Sequence, residues 1–361
     1  MKIVSVVGAR PQFVKAAAVS RVLRSQHDEI MIHTGQHYDP NMSECFFEEL
    51  HIPVPNYNLG VGSGTHAKQT AQMMIGIEEI LLKEKPDAVL LYGDTNSTLA
   101  GAITAAKLGI PIAHVEAGVR CGKMDMPEEQ NRICTDHLST WLFAPSQSAM
   151  HYLEREGLSD RAYLVGDVMY DAMLYYGQQA DNRQFAEQLQ SLQVLDKREQ
   201  MDLSKYYLAT THRPENVDHP DTLRQILEAL NELDHPVIYA IHPRTQAKCS
   251  AFGIHYADYQ NILFVAPLGY IEMIYFTKHA CKVITDSGGL HKEAYLWKVP
   301  GVVILRDSAW GETLEGNWNV LARPNKQDIL QKALYTEIDQ SKWAMHYGDG
   351  HASEKITQLL R

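Results

Sequence analysis

Four acidic side chains lie close together in the stretch HVEAGVRCGKMDMPEEQNR at residues 114–132. They are Glu116, Asp125, Glu128 and Glu129. A further acid, Asp94, belongs to the segment YGDTNST. Carboxylates at this density are typical of proton transfer, because neighbouring charges shift one another's pKa values and let an acid and a base coexist. We therefore predict a site of acid–base chemistry built around these residues.

Both acid-bearing segments follow apolar runs that are typical of buried parallel strands. Asp94 comes after Ala88–Tyr92, and Glu116 comes after Ile112–Val115. Such strands read as continuous apolar runs, and ligands of open α/β sheets bind beyond the carboxyl ends of the strands. We therefore expect Asp94 and Glu116 to lie at one edge of the same sheet, beside its ligand.

The segment PEEQNR also has an explanation that needs no function. Pro127 suits the first position of a helix, and Glu128 and Glu129 suit its first turn, where the helix dipole favours negative charge. Glu128 and Arg132 have the spacing of an i, i+4 ion pair. Helix-start chemistry and an acid–base role therefore both account for these residues at this point.

A glycine turn joins the first predicted strand, Lys2–Val7, to the first predicted helix, Pro11–Arg24. This segment, GARPQFVK, places Arg10 and Lys15 near a helix N-terminus, which attracts anions. It matches neither the G-x-G-x-x-G fingerprint nor a Walker loop, so a dinucleotide or a nucleoside triphosphate gains no support. An ordinary turn with two surface cations is the alternative interpretation.

The segment TDSGGLHKE in the second half of the chain has the features of a diphosphate cradle. Ser287 is a good helix cap, and Gly288 and Gly289 expose backbone N–H groups at the positive end of the helix dipole. Glu293, one to two turns into the helix, is placed to accept hydrogen bonds from ribose hydroxyls. A capped turn without a ligand is the alternative.

Histidines follow two predicted strands of the second half. His212 in THRPEN follows Tyr206–Thr210, and His242 in IHPRT follows Val237–Ile241, with Arg244 nearby. A histidine at the carboxyl end of a strand suits proton transfer or charge stabilisation. Because the chain has 17 histidines, each one taken alone is better explained as an ordinary loop residue.

Short apolar runs alternate with helical patterns along nearly the whole chain. This order is typical of parallel sheets covered by helices on both faces. A second series of strands begins after Gly166, so we expect two similar α/β domains that join near residues 164–167 and face each other across a cleft. Residues 178–205 are expected to hold helices and a surface loop, and the last helix is expected at Ser353–Leu360.

Composition narrows the classes further. The chain has 361 residues, 45% of them hydrophobic and 21% charged, which suits a globular enzyme of two domains. A net charge of -11 argues against nucleic acid and anionic membranes as partners. The five cysteines form no C-x-x-C pair, which fits a reducing cytoplasm without disulfides or a zinc site. The first residues read as a buried strand rather than a signal peptide, and no apolar run approaches the roughly 18 residues that span a membrane.

Eight segments occur in the order seen in a known enzyme family. They are GARPQFVKAA, TGQHYD, YGDTNSTLAG, HVEAGVR, MPEEQNR, THRPEN, TDSGGLHKEA and YGDG. On these segments, which extend from Lys2 to about Ile356, the chain resembles the non-hydrolysing UDP-N-acetylglucosamine 2-epimerases. The resemblance implies an α/β fold of the GT-B-like class, with two Rossmann-like, doubly wound domains facing across a cleft. It implies an N-terminal domain at residues 1–165, a UDP-binding domain at residues 166–345, and a final helix at residues 346–361 that packs back on the first domain.

The resemblance also implies the chemistry. A base removes the C2 proton of a UDP-2-acetamido sugar while UDP leaves C1, and UDP then adds back to the 2-acetamidoglycal, so neither a redox cofactor nor a metal is expected. The matching positions imply catalytic roles for Asp94, Glu116, Glu128 and His212. They imply substrate binding by Arg10, Lys15, Arg132, Ser287, Gly288, Gly289 and Glu293. The implied protein is a cytoplasmic homodimer that binds a UDP-sugar and supplies precursors for cell-surface polysaccharide.

Residues 306–312 depart from the family pattern. Many members carry a Thr-Glu-Arg-Pro-Glu-like segment after an Arg-Asp pair, whereas Arg306 and Asp307 are followed here by Ser308–Glu312, which lacks that arginine. QHYD and HRPENVD also resemble the branch that epimerises UDP-2,3-diacetamido-glucuronate. Conversion of UDP-GlcNAc to UDP-ManNAc is therefore the leading prediction, with the diacetamido uronate as the alternative sugar. A GT-B glycosyltransferase and a nucleotide-sugar sensor are the alternatives from other classes.

Overall fold

The computed structural model describes residues 1–36, 47, 49–182, 185–196 and 201–360, without the side chains of residues 185 and 186. The last three residues of the predicted TGQHYD segment lie outside these ranges. The chain divides into two compact units. The first comprises Met1–Tyr175 and Met345–Arg361, and the second comprises Tyr176–Ala344.

The first unit is built on a parallel sheet. Its strands among the described residues are β1 Lys2–Val7, β2 Asp28–His33, β3 Tyr57–Asn58, β4 Ala88–Tyr92, β5 Ile112–Val115, β6 Trp141–Ala144 and β7 Ala162–Leu164. They lie in the order β3-β2-β1-β4-β5-β6-β7, and every neighbouring pair is parallel. The central strands β4 and β5 are buried along their whole length, as a parallel sheet covered on both faces requires.

Helices connect these strands, because parallel pairing needs long crossovers. Those in the described part of the unit are α1 Arg10–Leu23, α2 His66–Glu84, α3 Asn96–Lys107, α4 Pro127–Leu138, α5 Gln147–Arg155 and the first part of α6 Val168–Asp181, which continues into the second unit after Tyr175. Proline stands at the first position of α4, and the Thr95 hydroxyl accepts the N–H of Thr98 at the start of α3. Helix α2 ends at Lys85, which is left-handed with a φ of 48°.

The second unit repeats this architecture. The described strands are β8 Tyr207–Thr210, β9 Val237–Ala240, β10 Ile262–Val265, β11 Lys282–Thr285, β12 Gly301–Val303 and β13 Asn319–Leu321. The helices are α7 Phe185–Ser191, α8 Pro214–Val217, α9 Pro220–Asn231, α10 Pro243–Ala251, α11 Tyr270–His279, α12 Gly288–Leu296 and α13 Lys326–Tyr335. The strands pair in parallel in the order β10-β9-β8-β11-β12-β13. One apolar core joins Leu223 and Ile226 of α9 to Tyr239 and Phe264 of the sheet.

The chain ends in a helix, α14 Ala352–Leu359, that belongs to the first unit. The buried carboxylate of Asp171 on α6 accepts the N–H groups of Ala352 and Ser353 at 3.1 and 2.7 Å, which caps this helix. At its other end, Nε2 of His27 lies 3.2 Å from the carbonyl oxygen of Thr357. These contacts attach the final helix to α6 and to the turn that precedes β2.

The predicted parallel α/β architecture is confirmed. Strands β1, β4 and β5 have the predicted bounds, whereas β8 begins one residue later and β9 ends one residue earlier than predicted. The sequence pattern does not predict β3, β7 or β13, and each of these strands lies at the edge of its sheet. They are two or three residues long, so they are too short to show a strand pattern.

Candidate active site

The order of strands in each sheet reverses at one point, and the predicted site segments follow the strands that flank it. In the first unit these strands are β1 and β4, which are followed by the turn at Gly8 and by Asp94. In the second unit they are β8 and β11, which are followed by the segments that contain His212 and Ser287. Open α/β sheets bind ligands at such switch points. Each unit therefore carries its predicted residues where this class of sheet binds a ligand.

A buried ion pair joins α1 to the end of β5. Lys15 Nζ lies 2.5 Å from Glu116 Oε1, and the two side chains are 8% and 9% exposed. Gly93, whose φ of 62° is left-handed, makes room for this pair. A Cβ at that position would lie 3.0 Å from Lys15 Nζ and 3.5 Å from Glu116 Oε1. Lys15 therefore fixes the Glu116 carboxylate beside the residue that precedes Asp94.

Arg132 of α4 connects two further carboxylates. Its Nη1 donates to Asp94 Oδ2, and its Nη2 and Nε donate to Glu129 Oε2 at 2.9 and 3.1 Å. Burial raises the pKa of Asp94, and the positive charge of Arg132 offsets this only in part. A carboxyl group whose pKa is raised while it faces a cation is suited to carry and release a proton. Asp94 therefore has the electrostatic setting of an acid–base group.

The two glutamates at the start of α4 have different environments. Glu129 is buried and accepts the N–H groups of Cys121 and Gly122 at 3.0 and 2.7 Å. Burial raises its pKa, but these hydrogen bonds and Arg132 outweigh burial and hold the pKa below its usual value. Glu128 is exposed and makes no hydrogen bond or ion pair with any described residue. Glu129 thus supports the loop, while Glu128 is available to a ligand.

Glu116 has a strained backbone. Its φ of 73° lies in the left-handed region, where a residue other than glycine costs on the order of 1–3 kcal/mol. The N–H groups of Glu116 and Ala117 both donate to the carbonyl oxygen of Phe143 on β6 at 3.1 Å, which holds this turn in place. Strain of this kind persists where surrounding contacts determine the conformation, and it is concentrated at functional sites.

Gln12 fills the turn at which the sequence predicts an anion-binding helix N-terminus. Its Oε1 accepts the N–H groups of Gly8 and Ala9 at 2.8 and 3.1 Å. Its Nε2 donates to the carbonyl oxygen of Tyr92 and to the hydroxyl of Thr98 at 2.8 and 3.0 Å. The first two N–H groups of the turn are therefore used within the protein, and the Gln12 side chain joins the segments that follow β1 and β4.

Asp286 has the corresponding position in the second unit. Its fully buried carboxylate accepts the N–H groups of His212 and Arg213 at 3.0 and 2.9 Å and the side-chain amide of Asn216 at 2.9 Å. Nδ1 of His212 lies 3.3 Å from Asp286 Oδ1, and the ring centre of His242 lies 5.1 Å from that of His212. Asp286 therefore orients the His212 ring and leaves its Nε2 on the side away from the carboxylate.

Ser287, Gly288 and Gly289 form the N-terminus of α12. The Ser287 hydroxyl accepts the N–H of Leu290 at 3.3 Å, so the serine caps the helix. A Cβ added to Gly288 or Gly289 would meet no atom within 4 Å, and neither residue has a left-handed φ. Neither packing nor backbone conformation therefore requires glycine here. The open space at the positive end of the helix is suited to a phosphate group that approaches the backbone closely.

The segment that departs from the family pattern is attached to the same helix. Nδ1–H of His291 donates to the carbonyl oxygen of Ser287 at 2.8 Å, and its Nε2 accepts the hydroxyl of Ser308 at 2.9 Å. Burial lowers the pKa of His291 to about 4, so the ring is neutral near pH 7 and has a lone pair for this bond. Lys292 Nζ lies 3.8 Å from the centre of the Trp310 ring, a cation–π contact. These contacts fix the segment relative to Ser287.

The predicted site residues divide between the two units. The first unit contains Arg10, Lys15, Asp94, Glu116, Glu128 and Arg132, and the second contains His212, Ser287, Gly288, Gly289 and Glu293. Arg10 is half-buried at the start of α1. Glu293 is buried in α12, where the Tyr270 hydroxyl donates to it at 3.3 Å. Asp125 is exposed, and Arg244 forms an ion pair with Asp218.

The described residues contain no cluster of side chains that could form a metal site. Among the described residues, no group of three or more His, Cys, Asp or Glu side chains is arranged to bind a metal ion. Within the same ranges, no helix combines the length and apolarity that crossing a membrane requires.

Two parallel-sheet α/β domains, one with an acid cluster and one with an open helix N-terminus, define a GT-B-like protein. A solved structure of Methanocaldococcus jannaschii UDP-GlcNAc 2-epimerase, in complex with UDP-GlcNAc and UDP, shares this architecture. It has 38% sequence identity and a TM-score of 0.89, and the match covers 100% of this chain and 99% of that chain.

The sequence comparisons give the family. The sequence model described as UDP-N-acetylglucosamine 2-epimerase matches residues 21–361, and the chain belongs to this family. A UDP-N-acetylglucosamine 2-epimerase homolog of Methanococcus maripaludis is 46% identical over 363 residues, which cover 100% of this chain and 99% of that protein. The UDP-2,3-diacetamido-2,3-dideoxy-D-glucuronate 2-epimerase of Pseudomonas aeruginosa is 42% identical over 371 residues, with coverage of 100% and 99%. The resemblance predicted from the sequence segments is confirmed.

Proposed function

We propose that the chain epimerises a UDP-2-acetamido sugar at C2 and converts UDP-GlcNAc to UDP-ManNAc. The observation that carries this proposal is the acid cluster of the first unit, where Asp94 and Glu116 are each paired with a cation beside the switch point. Binding alone needs no acid–base cluster at a ligand site. The family, and the structural relative that contains UDP-GlcNAc and UDP, support the class of substrate.

The proposed reaction is an elimination followed by an addition. A carboxylate takes the C2 proton while the C1–O bond to UDP breaks, and the electrons of the C2–H bond form the C1=C2 bond of a 2-acetamidoglycal. UDP then adds back at C1, and a proton is delivered to the opposite face of C2. We assign the proton transfers to Asp94, Glu116 and Glu128. Glu128 suits the base because it is exposed, and Asp94 suits the acid because its pKa is raised.

The departing UDP carries negative charge that the second unit is suited to stabilise. The N–H groups of Gly288 and Gly289 lie at the positive end of α12, and Ser287 supplies the cap. We assign the diphosphate to this helix end, with charge stabilisation by Arg10 and His212. The proposed partner of the ribose hydroxyls is Glu293. Lys15 and Arg132 act on the reaction through the carboxylates that they hold.

Solvent isotope incorporation tests the proposal. The protein is incubated with UDP-GlcNAc alone in D2O, and the sugars are separated and examined by NMR. Because a protein base removes the C2 proton and exchanges with solvent, deuterium should appear at C2 of the product and at no other sugar carbon. A glycosyltransferase or a sensor would incorporate none, and a redox route through C4 would need a nicotinamide cofactor and would leave C2 unlabelled. Folded protein that binds UDP but labels no sugar would contradict the epimerase proposal.

A second sugar is the alternative substrate. The Pseudomonas aeruginosa relative is named for UDP-2,3-diacetamido-2,3-dideoxy-D-glucuronate, and the segment after Asp307 departs from the usual pattern and is fixed beside Ser287. Running both UDP-sugars in parallel and comparing kcat/KM decides between them. Label at C2 of the diacetamido uronate alone would keep the mechanism and change the substrate.

We also propose the cellular setting that the family resemblance implies. The chain would act as a homodimer in the cytoplasm and supply activated sugars for cell-surface polysaccharide. Sedimentation of the purified protein, with and without UDP, measures the oligomeric state. A monomer at concentrations where the enzyme is active would contradict the dimer.

A further inference from the structure

A buried histidine with two hydrogen bonds lies beneath the acid cluster. His114 is on β5 and is completely buried. Its Nε2 lies 2.7 Å from the carbonyl oxygen of Gly93, and its Nδ1 lies 2.6 Å from Oδ1 of Asp136 on α4. The second carboxylate oxygen of Asp136 accepts the N–H of Gly118 at 3.0 Å and pairs with Nη2 of Arg120 at 2.7 Å. Nothing in the assigned reaction uses these groups.

Hydrogen-bond partners face both nitrogens of this ring. The Gly93 carbonyl can only accept, so Nε2 of His114 must carry a hydrogen. Burial raises the pKa of Asp136, but His114 and Arg120, together with the Gly118 N–H, outweigh burial and lower it. The Asp136 carboxylate faces the other nitrogen, Nδ1, and a hydrogen bond joins the two side chains. Each end of the ring is held by a partner on a different segment.

The three segments that the His114–Asp136 pair touches are those that carry the proposed acids. The carbonyl that Nε2 contacts belongs to the residue directly before Asp94. The Gly118 N–H lies two residues after Glu116, in the loop that leaves β5. Asp136 itself is on α4, whose first turn contains Glu128. Through one imidazole and one carboxylate, the pair links all three segments to one another.

Core packing alone does not explain this arrangement. Position 114 lies on a buried central strand between the apolar residues Ala113 and Val115. Burying a polar ring against a carboxylate costs free energy that an apolar residue avoids, so such pairs are often replaceable without loss of stability. The pair nevertheless bonds to the backbone one residue before Asp94 and two residues after Glu116, so it bears on the relative placement of these acids.

We propose that the His114–Asp136 pair is a positioning device that sets the spacing of Asp94, Glu116 and Glu128 for proton transfer at C2. This inference rests on the proposed epimerase function. The pair acts through the hydrogen bonds that it makes and does not touch the sugar. Its loss should slow the chemical step and leave UDP binding intact, because the proposed UDP contacts lie mainly in the second unit.

Three variants test the device against a control. His114→Leu and Asp136→Leu each remove the bridge, and displaced catalytic groups lose on the order of 100-fold in rate, so kcat should fall about 100-fold with little change in KM. Asp136→Asn should lose less than Asp136→Leu, because its amide can donate to Nδ1 while its oxygen accepts the Gly118 N–H. Glu156→Gln is the control, since Glu156 pairs with Arg120 at the far end of the charge cluster and is partly exposed.

Two measurements separate positioning from general destabilisation. Misplaced acids make C2–H cleavage slower, so the isotope effect on kcat with substrate deuterated at C2 should rise in His114→Leu and not in Glu156→Gln. The 15N chemical shifts of the His114 ring, assigned by comparison with His114→Leu, should show that Nε2 carries a hydrogen, because the Gly93 carbonyl can only accept. Nε2 should keep this hydrogen in Asp136→Asn, which leaves the Gly93 contact intact.

Each result has a distinct consequence. A folded His114→Leu protein with unchanged kcat, or one whose KM rises while kcat is unchanged, would overturn the positioning role. An unprotonated Nε2 on the His114 ring of the unaltered protein would overturn the hydrogen-bond assignment, and this readout needs no active enzyme. Failure of the unaltered protein to epimerise either UDP-sugar would instead remove the proposed function.

Discussion

Glu128 and Glu129 are consecutive residues of α4, but only Glu129 faces the protein. The carboxylate of Glu129 receives two backbone N–H groups and the guanidinium of Arg132, whereas the side chain of Glu128 is exposed. Consecutive helical residues point about 100° apart, so one of them can support the loop while the other meets a ligand. This division of roles predicts different consequences for the same chemical change.

Glu128→Gln and Glu129→Gln should therefore separate catalysis from stability. Glu128→Gln should lower kcat by about 100-fold or more, the usual scale of general acid–base catalysis, and should change Tm only slightly, through the lost charge at the helix start. Glu129→Gln should lower the free energy of unfolding by about 1–3 kcal/mol, because the buried Arg132 and two N–H groups lose their charged acceptor. Steady-state kinetics and urea unfolding measure the two effects, with the exposed Glu154→Gln as the control. If Glu129→Gln lowered kcat and Glu128→Gln lowered stability, Glu129 would be the catalytic residue and Glu128 the one that supports the loop.

Local chemistry explains how much of this site the sequence could predict. The apolar runs that become β4 and β5 place Asp94 and Glu116 correctly at one edge of the sheet. Helix-start preferences place Pro127 and both glutamates in the first turn of α4. Spacing alone could not show which of the two glutamates is buried, because that depends on the loop at residues 121 and 122, which folds over one of them.

The residues that the sequence analysis misses have partners far away in the chain. Asp286 holds the N–H of His212, and Gln12 holds the carbonyl of Tyr92. These pairs meet only because β8 lies beside β11 and β1 lies beside β4, which is a property of strand order. A buried glutamine in a helix has no local signal, so only the assembled sheet shows that it connects two loops.

The pKa of Asp94 predicts how its replacement changes stability with pH. Because burial raises this pKa in the folded chain, the folded state binds the proton more tightly than the unfolded state. This contribution to stability is fully present below about pH 3.9, the pKa of an aspartate in the unfolded chain. It is lost as the pH rises through the higher pKa that Asp94 has in the folded chain. Asn cannot ionise, so the stability of Asp94→Asn relative to the unaltered protein should increase from about pH 4 upward.

Urea unfolding at a series of pH values measures this difference, and Asp218→Asn provides a control with the opposite sign. The hydrogen bond from Arg244 lowers the pKa of Asp218, so its contribution is present above the unfolded pKa and is lost as the pH falls. The relative stability of Asp218→Asn should therefore decrease as the pH rises. Equal slopes for the two variants would refute the raised pKa of Asp94.

Replacement of Gln12 should damage the fold and the reaction together. In Gln12→Leu the buried N–H groups of Gly8 and Ala9 lose their acceptor, which costs about 1–3 kcal/mol of unfolding free energy. The link to the segment that carries Asp94 is lost as well, so kcat should fall by at least about tenfold. Urea unfolding and kinetics measure both, beside Gln147→Leu at an exposed position. Equal behaviour of the two variants would show that the link has no role.

The glycines of α12 offer a test in which binding and stability should move in opposite directions. A Cβ at Gly288 or Gly289 meets open space, and alanine reduces the freedom of the unfolded chain, so Gly288→Ala and Gly289→Ala should be stabilised by about 0.4–1 kcal/mol. The same methyl groups occupy the space that a diphosphate needs, so calorimetry should show UDP affinity at least about tenfold weaker. Gly64→Ala, which also adds a Cβ in open space but lies outside the proposed site, is the control. Because a damaged fold would weaken binding and stability together, only a stable variant with weak UDP binding supports the site. Unchanged affinity in stable variants would exclude this helix end from it.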